Sequence, residues 1–201
     1  MEIGRKYLII GSDGQLGNDF VRILKKQKID IIGLTHNEVE ITDQKNLYEC
    51  LHKYDVDVII NTAAYHGKNA YEDNNPKKHY MINAFGPYSL ANYCKKKGIK
   101  LVHFSTDYVF NGNKSGSNYF FKENEMCIPS NLYGASKLAG ENLIKSVSGD
   151  HIVIRVASLF GHTGCKAKNY DNFIEMIIRK YNNNETIKVV NDIWMTPTST
   201  Q

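Results

Sequence analysis

The sequence predicts an α/β protein built on a doubly wound parallel sheet. Three observations carry that expectation. Short apolar runs recur along the 201 residues, at Tyr7–Ile10, Ile29–Leu34, Val56–Ile60, Leu101–Phe104 and Ile152–Ala157. Segments with helical character follow them, and strand–helix alternation puts helices on both faces of a parallel sheet. Several runs end in glycine or in small and hydroxylated residues, as at Gly11, Ala63-Ala64 and Ser105-Thr106. In such sheets ligands bind at the carboxyl ends of the strands.

Tyr7–Ile10 reads as a strand buried on both faces, because it is apolar without alternation. Gly11-Ser12-Asp13-Gly14-Gln15-Leu16-Gly17 follows, and Phe20, Val21, Ile23 and Leu24 give the next segment an apolar stripe. A GxxGxxG turn between strand and helix is the context a dinucleotide site of the Rossmann type requires. Gly11 permits the tight turn, Gly14 lets the backbone approach a pyrophosphate, and Gly17 lets helix and strand pack closely. The phosphates would rest on free amides at the helix N-terminus.

Ile29–Leu34 is the second expected strand. An acidic residue at its end would bond the ribose hydroxyls of NADH. Thr35 and His36 stand there instead, so NADPH and NADH both stay open. Glu40 and Asp43 are the next acidic residues. Thr42 or Asp43 suits the N-cap of a helix through Leu47 and Leu51. Val56–Ile60 is the third strand. It runs into Asn61-Thr62-Ala63-Ala64-Tyr65, where small residues let a flat ligand lie against the backbone or simply begin a loop. His66, Lys68 and Asp73 follow in a segment that faces either a substrate or solvent. A helix is expected from Pro76 to Gly98 through Met81, Ile82, Leu90 and Ala91. Lys95-Lys96-Lys97 suit its last turn and Gly98 its cap. Asn83 within it is either buried and bonded or exposed.

Leu101–Phe104 is the fourth strand. Ser105 and Thr106 at its end either donate a hydrogen bond to a carbonyl or cap a turn. Residues 111–129 read as a loop over the site. In Asn131-Leu132-Tyr133-Gly134-Ala135-Ser136-Lys137, helix-favouring residues follow, so Tyr133 and Lys137 share one face of a helix ending near Gly149. Ile152–Ala157 is the fifth strand. A loop over Gly161–Tyr170, a helix over Asp171–Tyr181 and a last short strand at Ile187–Val190 complete the chain, and Asn191–Gln201 runs out in polar residues with Trp194 and Pro197.

Composition narrows the partners. At 201 residues the chain suits one domain, or one and part of a second. It is 42% hydrophobic and 23% charged, as in soluble globular proteins. A net charge of +4 is compatible with anionic small molecules, and no basic run interleaved with aromatics argues for nucleic acid. Cys50, Cys94, Cys127 and Cys165 make no CxxC pair and fit no zinc spacing, so no metal is expected. They read as reduced thiols of a cytoplasmic protein. No apolar run is long enough for a signal peptide or a membrane span.

The three stretches converge. The glycine turn would hold a dinucleotide, and Thr106 and Tyr133 would meet near its nicotinamide end. That is a carbonyl-reducing site: a hydride from the cofactor and a proton from a phenol. Tyrosine keeps its proton to about pH 10, and a nearby ammonium favours the phenolate, which eases proton exchange near neutrality. Lys137 also suits the ribose hydroxyls.

Gly11–Gly17, Ser105–Phe110 and Tyr133–Lys137 resemble the motifs of the extended short-chain dehydrogenase/reductases. Gly14-Gln15-Leu16-Gly17, Ser105-Thr106-Asp107-Tyr108-Val109-Phe110 and Lys137-Leu138-Ala139-Gly140-Glu141 are more narrowly similar to dTDP-4-dehydrorhamnose reductase. The resemblance implies catalysis by Thr106, Tyr133 and Lys137. It implies cofactor contacts at Gly11, Asp13, Gly14, Gln15, Leu16, Gly17, Glu40, Ile41, Ala63, Ala64, Tyr65, Tyr133 and Lys137. It implies NADPH or NADH as cofactor and reduction of the 4-keto group of a nucleotide-linked deoxysugar to dTDP-L-rhamnose. It allows a homodimer. Residues 1–158 correspond to the Rossmann domain. Residues 159–201 correspond to only the start of a C-terminal substrate lobe, apparently truncated. Glu40 stands where the family usually has aspartate, and Ser158-Leu159 where some members carry a tryptophan. A cofactor-binding regulator without turnover, like the regulatory subunit of methionine adenosyltransferase, shares the resemblance, and so do epimerases and GDP-sugar reductases.

Overall fold

The structure, a computed structural model, describes residues 4–67, 75–112, 120–162, 172–191 and 195–200. Five parallel strands form the central sheet: β1 (Tyr7–Ile10), β2 (Ile31–Leu34), β3 (Val58–Asn61), β4 (Lys100–Thr106) and β5 (His151–Val156), in the order β2-β1-β3-β4-β5. Leu8 lies beside Ile32 on one side and Ile59 on the other. From β1 the chain moves outward to β2 and then crosses to β3 on the other side of β1, so the sheet has its switch point there, where a ligand crevice opens beyond the strand ends.

Two hydrophobic layers explain the unbroken apolar runs. Tyr7, Ile9, Val58 and Ile60 point to one face, where α1 (Gln15–Lys26) adds Phe20, Val21 and Leu24. Leu8, Ile10 and Ile59 point to the other, against Leu47 of α2 (Gln44–Leu51), Leu90 of α4 (Gly86–Lys97) and Ile144 of α5 (Leu132–Ser146). A strand covered on both sides has no polar face to show. Each such side chain contributes about 1.5–3 kcal/mol by leaving water.

Local signals set the helix ends. Asp43 caps α2, its carboxylate accepting from the amides of Lys45 and Asn46 at 2.9 and 3.0 Å. Gly98 ends α4 in the left-handed region at φ 69°, as the lysine run before it suggests. The helix expected over 76–98 is present, though not as one regular α-helix. A short α3 (Pro76–Tyr80) passes into a π turn (Met81–Phe85) before α4 begins. The fully buried Asn83 sits in that turn and spends its amide on partners outside the helix.

The region after β5 also departs from expectation. Ile187–Val190 forms no strand; Val189 and Val190 are each 65% exposed. None of the described strands pairs with this segment, and without a ladder an apolar run has no reason to extend. The strands that do form are β6 (Leu159–Phe160), just after the fifth strand, and β7 (Thr198–Ser199), within the expected polar run-out; they make a short parallel pair. Between them α6 (Phe173–Asn182) is fixed by a reciprocal capping box of Asn172 and Glu175. This tail is tied to α1. The buried Asp19 carboxylate accepts from the His162 amide at 3.1 Å and from the Thr200 hydroxyl, while Gln15 Nε2 donates to the Leu159 carbonyl at 3.2 Å.

Lys68, Asp73, Cys165, Trp194 and residues 113–119 of the expected loop lie outside the described residues. Among the described residues no helix is long and apolar enough to cross a membrane. Cys50, Cys94 and Cys127 are free thiols, and burial pushes the Cys94 thiol up to about 12.

Candidate active site

A cleft of about 480 Å³ opens at the switch point. Gly11 forms its floor at φ +81°, in the left-handed region, and a Cβ there would stand 2.9 Å from the Ala63 amide nitrogen. A Cβ on Gly17 would run into the Gly11 carbonyl oxygen. Glycine at the first position makes the turn, and at the second brings α1 against it. Thr62 Oγ1 donates to the Ile10 carbonyl at 2.8 Å, tying the end of β3 to the turn. Gly14 is the N-cap of α1 and no side chain caps the helix, so its first amides remain for a ligand.

Nearly all the residues expected from the sequence meet here. Gly11, Asp13, Gly14, Gln15, Leu16, Glu40, Ile41, Ala63, Ala64, Tyr65, Tyr133 and Lys137 line the cleft. Gly17 and Thr106 do not; Gly17 serves packing. Glu40 reaches the wall with one oxygen already engaged, accepting from the Thr42 amide and hydroxyl at 2.9 and 2.8 Å. Phe104 and Ser105 at the end of β4 also line it, as does His66, whose ring stands edge-on to Tyr133 at 6.1 Å.

Tyr133 sits in the first turn of α5. Asn131 caps that helix, its side chain accepting from the Gly134 amide at 2.8 Å. Tyr108 meets the Tyr133 ring edge-on at 6.0 Å. Lys137, one turn further on, is the largest fully buried side chain among the described residues, 1% exposed. Its Nζ donates to the Phe104 carbonyl at 2.5 Å and lies 3.2 Å from His103 Nε2. Burial brings its pKa down to about 7, against an opposing pull from Glu141. Burial, and then Lys137, keeps His103 well below the usual histidine range.

The two hydroxyls at the end of β4 are already committed. Ser105 Oγ donates to Glu141 Oε1 at 2.5 Å. Thr106 Oγ1 accepts from the Tyr108 amide at 3.2 Å and donates to Asp107 Oδ1 at 3.1 Å, capping the short 3-10 turn Asp107–Val109. Turn capping, one of the two roles open to Thr106 from the sequence, is the one the structure displays. Burial works to raise the Glu141 carboxyl, yet bonds from Arg155 and Ser105 outweigh it and hold the group below the usual carboxylate range. Arg155 grips Glu141 with Nε and Nη2 at 3.0 and 2.7 Å.

Sequence reasoning left Asn61 and His103 without roles and Asn83 either buried and bonded or exposed; Asn83 is buried and bonded. Asn83 Oδ1 accepts from the Tyr65 amide at 2.8 Å, and its Nδ2 donates to the Tyr65 carbonyl at 2.6 Å and to Ser136 Oγ at 3.0 Å. It therefore clamps the Ala63-Ala64-Tyr65 wall to the helix that carries Tyr133. Asn61 and His103 form a buried pair behind Lys137, 3.0 Å apart. A lone Asn in a helix and a lone His in an apolar strand carry no spacing signal that would have found them.

The RmlD substrate binding domain model matches residues 5–201. The chain belongs to the RmlD family. Among relatives, the RmlD-family chain is 33% identical over 196 residues to the spore coat polysaccharide biosynthesis protein SpsK of Bacillus subtilis, covering 98% of this chain and 66% of that one. Among solved structures, it superposes on a dTDP-4-dehydrorhamnose reductase from Clostridium acetobutylicum with a TM-score of 0.84 and 31% identity, covering 97% and 66%. It superposes on the Bacillus anthracis dTDP-4-dehydrorhamnose reductase in complex with NADP with a TM-score of 0.81 and 31% identity, covering 91% and 62%. The chain thus spans a little under two thirds of the length of these relatives.

Proposed function

We propose that this RmlD-family chain carries the cofactor cleft and acid–base residues of an NAD(P)H-dependent reductase. Its substrate is the 4-keto group of a nucleotide-linked deoxysugar, dTDP-4-dehydrorhamnose giving dTDP-L-rhamnose. The observation that carries this reading is that one cleft holds the uncapped glycine turn at one end and Tyr133 with Lys137 at the other. Residues 1–158 serve as the dinucleotide-binding domain, and residues 159–201 begin the substrate-binding region. The free thiols suit a cytoplasmic enzyme.

The cleft residues fit a dinucleotide. The close approach of Gly11 to Ala63 and the free first turn of α1 supply a backbone cradle for a pyrophosphate. Glu40 and Ile41, which line the cleft, would contact the adenosine side of a dinucleotide, and Ala63, Ala64 and Tyr65 would offer it a flat wall. The bound cofactor supplies the hydride. Tyr133 supplies the proton to the developing alkoxide, and Lys137, as an ammonium, eases its loss from the phenol. Thr106 joins this set only by giving up its bond to Asp107 and turning to the substrate oxygen. That requirement favours, as a second reading, a cofactor-binding protein without turnover.

The test is a titration with NADPH and NADH followed by turnover of dTDP-4-keto-6-deoxy-L-mannose. Tyr133→Phe should lower kcat by about 10²–10⁴-fold with cofactor affinity within about twofold of the parent. Full activity in that variant would refute the proton-donor role. Binding without turnover in the parent chain would favour the second reading.

A further inference from the structure

The hydrogen bonds behind Lys137 fix its charge by counting protons. Asn61 Oδ1 accepts from the Ala63 amide at 3.1 Å, a bond only the oxygen can make, so Nδ2 is the end that faces His103. That nitrogen is a donor, and it stands 3.0 Å from His103 Nδ1. Nδ1 must therefore be the bare nitrogen, and the neutral ring carries its proton on Nε2. Nε2 then points a hydrogen at Lys137 Nζ, 3.2 Å away. An ammonium has no lone pair to receive it, whereas a neutral amine does. The amine also keeps two hydrogens, one for the Phe104 carbonyl and one for the cleft that Lys137 lines.

We infer that His103, oriented by Asn61, stows Lys137 as a neutral amine in the free chain, and that Lys137 takes up a proton when a dinucleotide enters the cleft. The second half rests on the cofactor reading above. On protonation Nζ and Nε2 become two donors face to face, and the contact turns repulsive. The amine, having gained its third N–H bond with a proton from solvent, moves off His103 towards acceptors in the cleft, such as the hydroxyls of a ribose. His103 and Asn61 are thus positioning residues: they couple the charge of Lys137 to occupancy.

The surroundings agree. Glu141 on the same helix favours the charged lysine, but its carboxylate is already gripped by Arg155 and Ser105. Tyr133 lies one turn back, faced by His66 and by His79 of α3 at 6.1 and 6.5 Å between rings. His103 is the titratable group that β4 presents to Nζ. The low lysine pKa of about 7 follows the same direction.

Nitrogen NMR of the free chain tests the first half. The expected result is His103 with its proton on Nε2, and a Lys137 amine that titrates near neutrality. A proton on Nδ1, or an ammonium persisting through pH 9, would overturn it. Calorimetry with NADH in buffers of different ionisation heat tests the second. NADH is the probe because the extra phosphate of NADPH itself titrates near pH 6, roughly the same range. About one proton per site should be taken up at pH 8 and almost none at pH 6. Equal uptake at both, or none at pH 8 despite binding, would overturn it. In Asn61→Asp the new carboxylate accepts from Nδ1 and frees Nε2 to accept from an ammonium. Uptake at pH 8 should then vanish while NADH still binds; unchanged uptake would count against the orienting role of Asn61. Should neither NADH nor NADPH bind, the cofactor reading falls, and the spectra of the free chain still decide the state of Lys137.

Discussion

The sheet and the tail that follows it use the same apolar residues to opposite effect. Leu8, Ile9 and Ile59 are sealed from water on both sides of the sheet. In α6 no residue is buried, and Phe173 and Tyr181 are 62% and 74% exposed. Both regions have the right local grammar: α6 has a full capping box, a basic last turn and an apolar stripe. Caps and periodicity decide where a helix starts and stops, while burial decides what it contributes to stability. The tail holds its place chiefly through polar ties to α1, above all Asp19.

That contrast can be broken from the sheet side first. Glu141→Gln should cost about 3–5 kcal/mol, because it strips a buried ion pair of one partner and leaves Arg155 uncompensated; denaturant unfolding measures it. The same pair sets an acid limit. The folded Glu141 carboxyl is held below its unfolded value, so its stabilisation is present above about pH 4.5 and is lost as pH falls through the folded value. The variant should lose that part of the acid dependence. Ile59→Ala should cost about 2–5 kcal/mol, read from the same midpoints.

Asp19→Asn probes the junction. It puts an amide where a carboxylate oxygen receives two donors, and should cost about 1–3 kcal/mol. Its sharper signature is local: faster hydrogen exchange at His162 and Thr200, with the amides of β1 and β3 unchanged. Equal acceleration in both would mean that tail and sheet open as one unit. Ile178→Ala, with that side chain 54% exposed, should stay within about 0.5 kcal/mol. A large loss there would show that α6 is covered in solution.

The doubly wound sheet was legible because burial on both faces leaves continuous apolar runs, and because Gly11 and Gly17 obey steric demands that hold wherever a strand turns tightly into a helix. Most of the cleft was legible for the same reason: a parallel sheet gathers its strand ends, so the motifs there must converge. Polar partnership was not legible. Nothing in the sequence says that the Ser105 proton goes to Glu141, or that Asn61, forty-two residues from His103, orients that ring. Those pairings depend on which strands become neighbours. The strand expected at Ile187–Val190 failed for a related reason: β-propensity describes fit to a neighbour, and the described sheet offers none.

The π turn at Met81–Phe85 has a consequence for how this chain can vary in length. Such a turn holds one residue more than the α-turn it replaces. Deleting a single residue there would let α3 and α4 fuse into one regular helix, with their outer ends little changed. The loss would fall on Asn83, which would leave Tyr65 and Ser136 and release the wall of the cleft from the helix that bears Tyr133. A one-residue deletion at this point would thus yield a chain that still folds around its sheet but has lost the alignment of its two cleft walls. Relatives differing in length by one residue here would be candidates for a changed or absent chemistry.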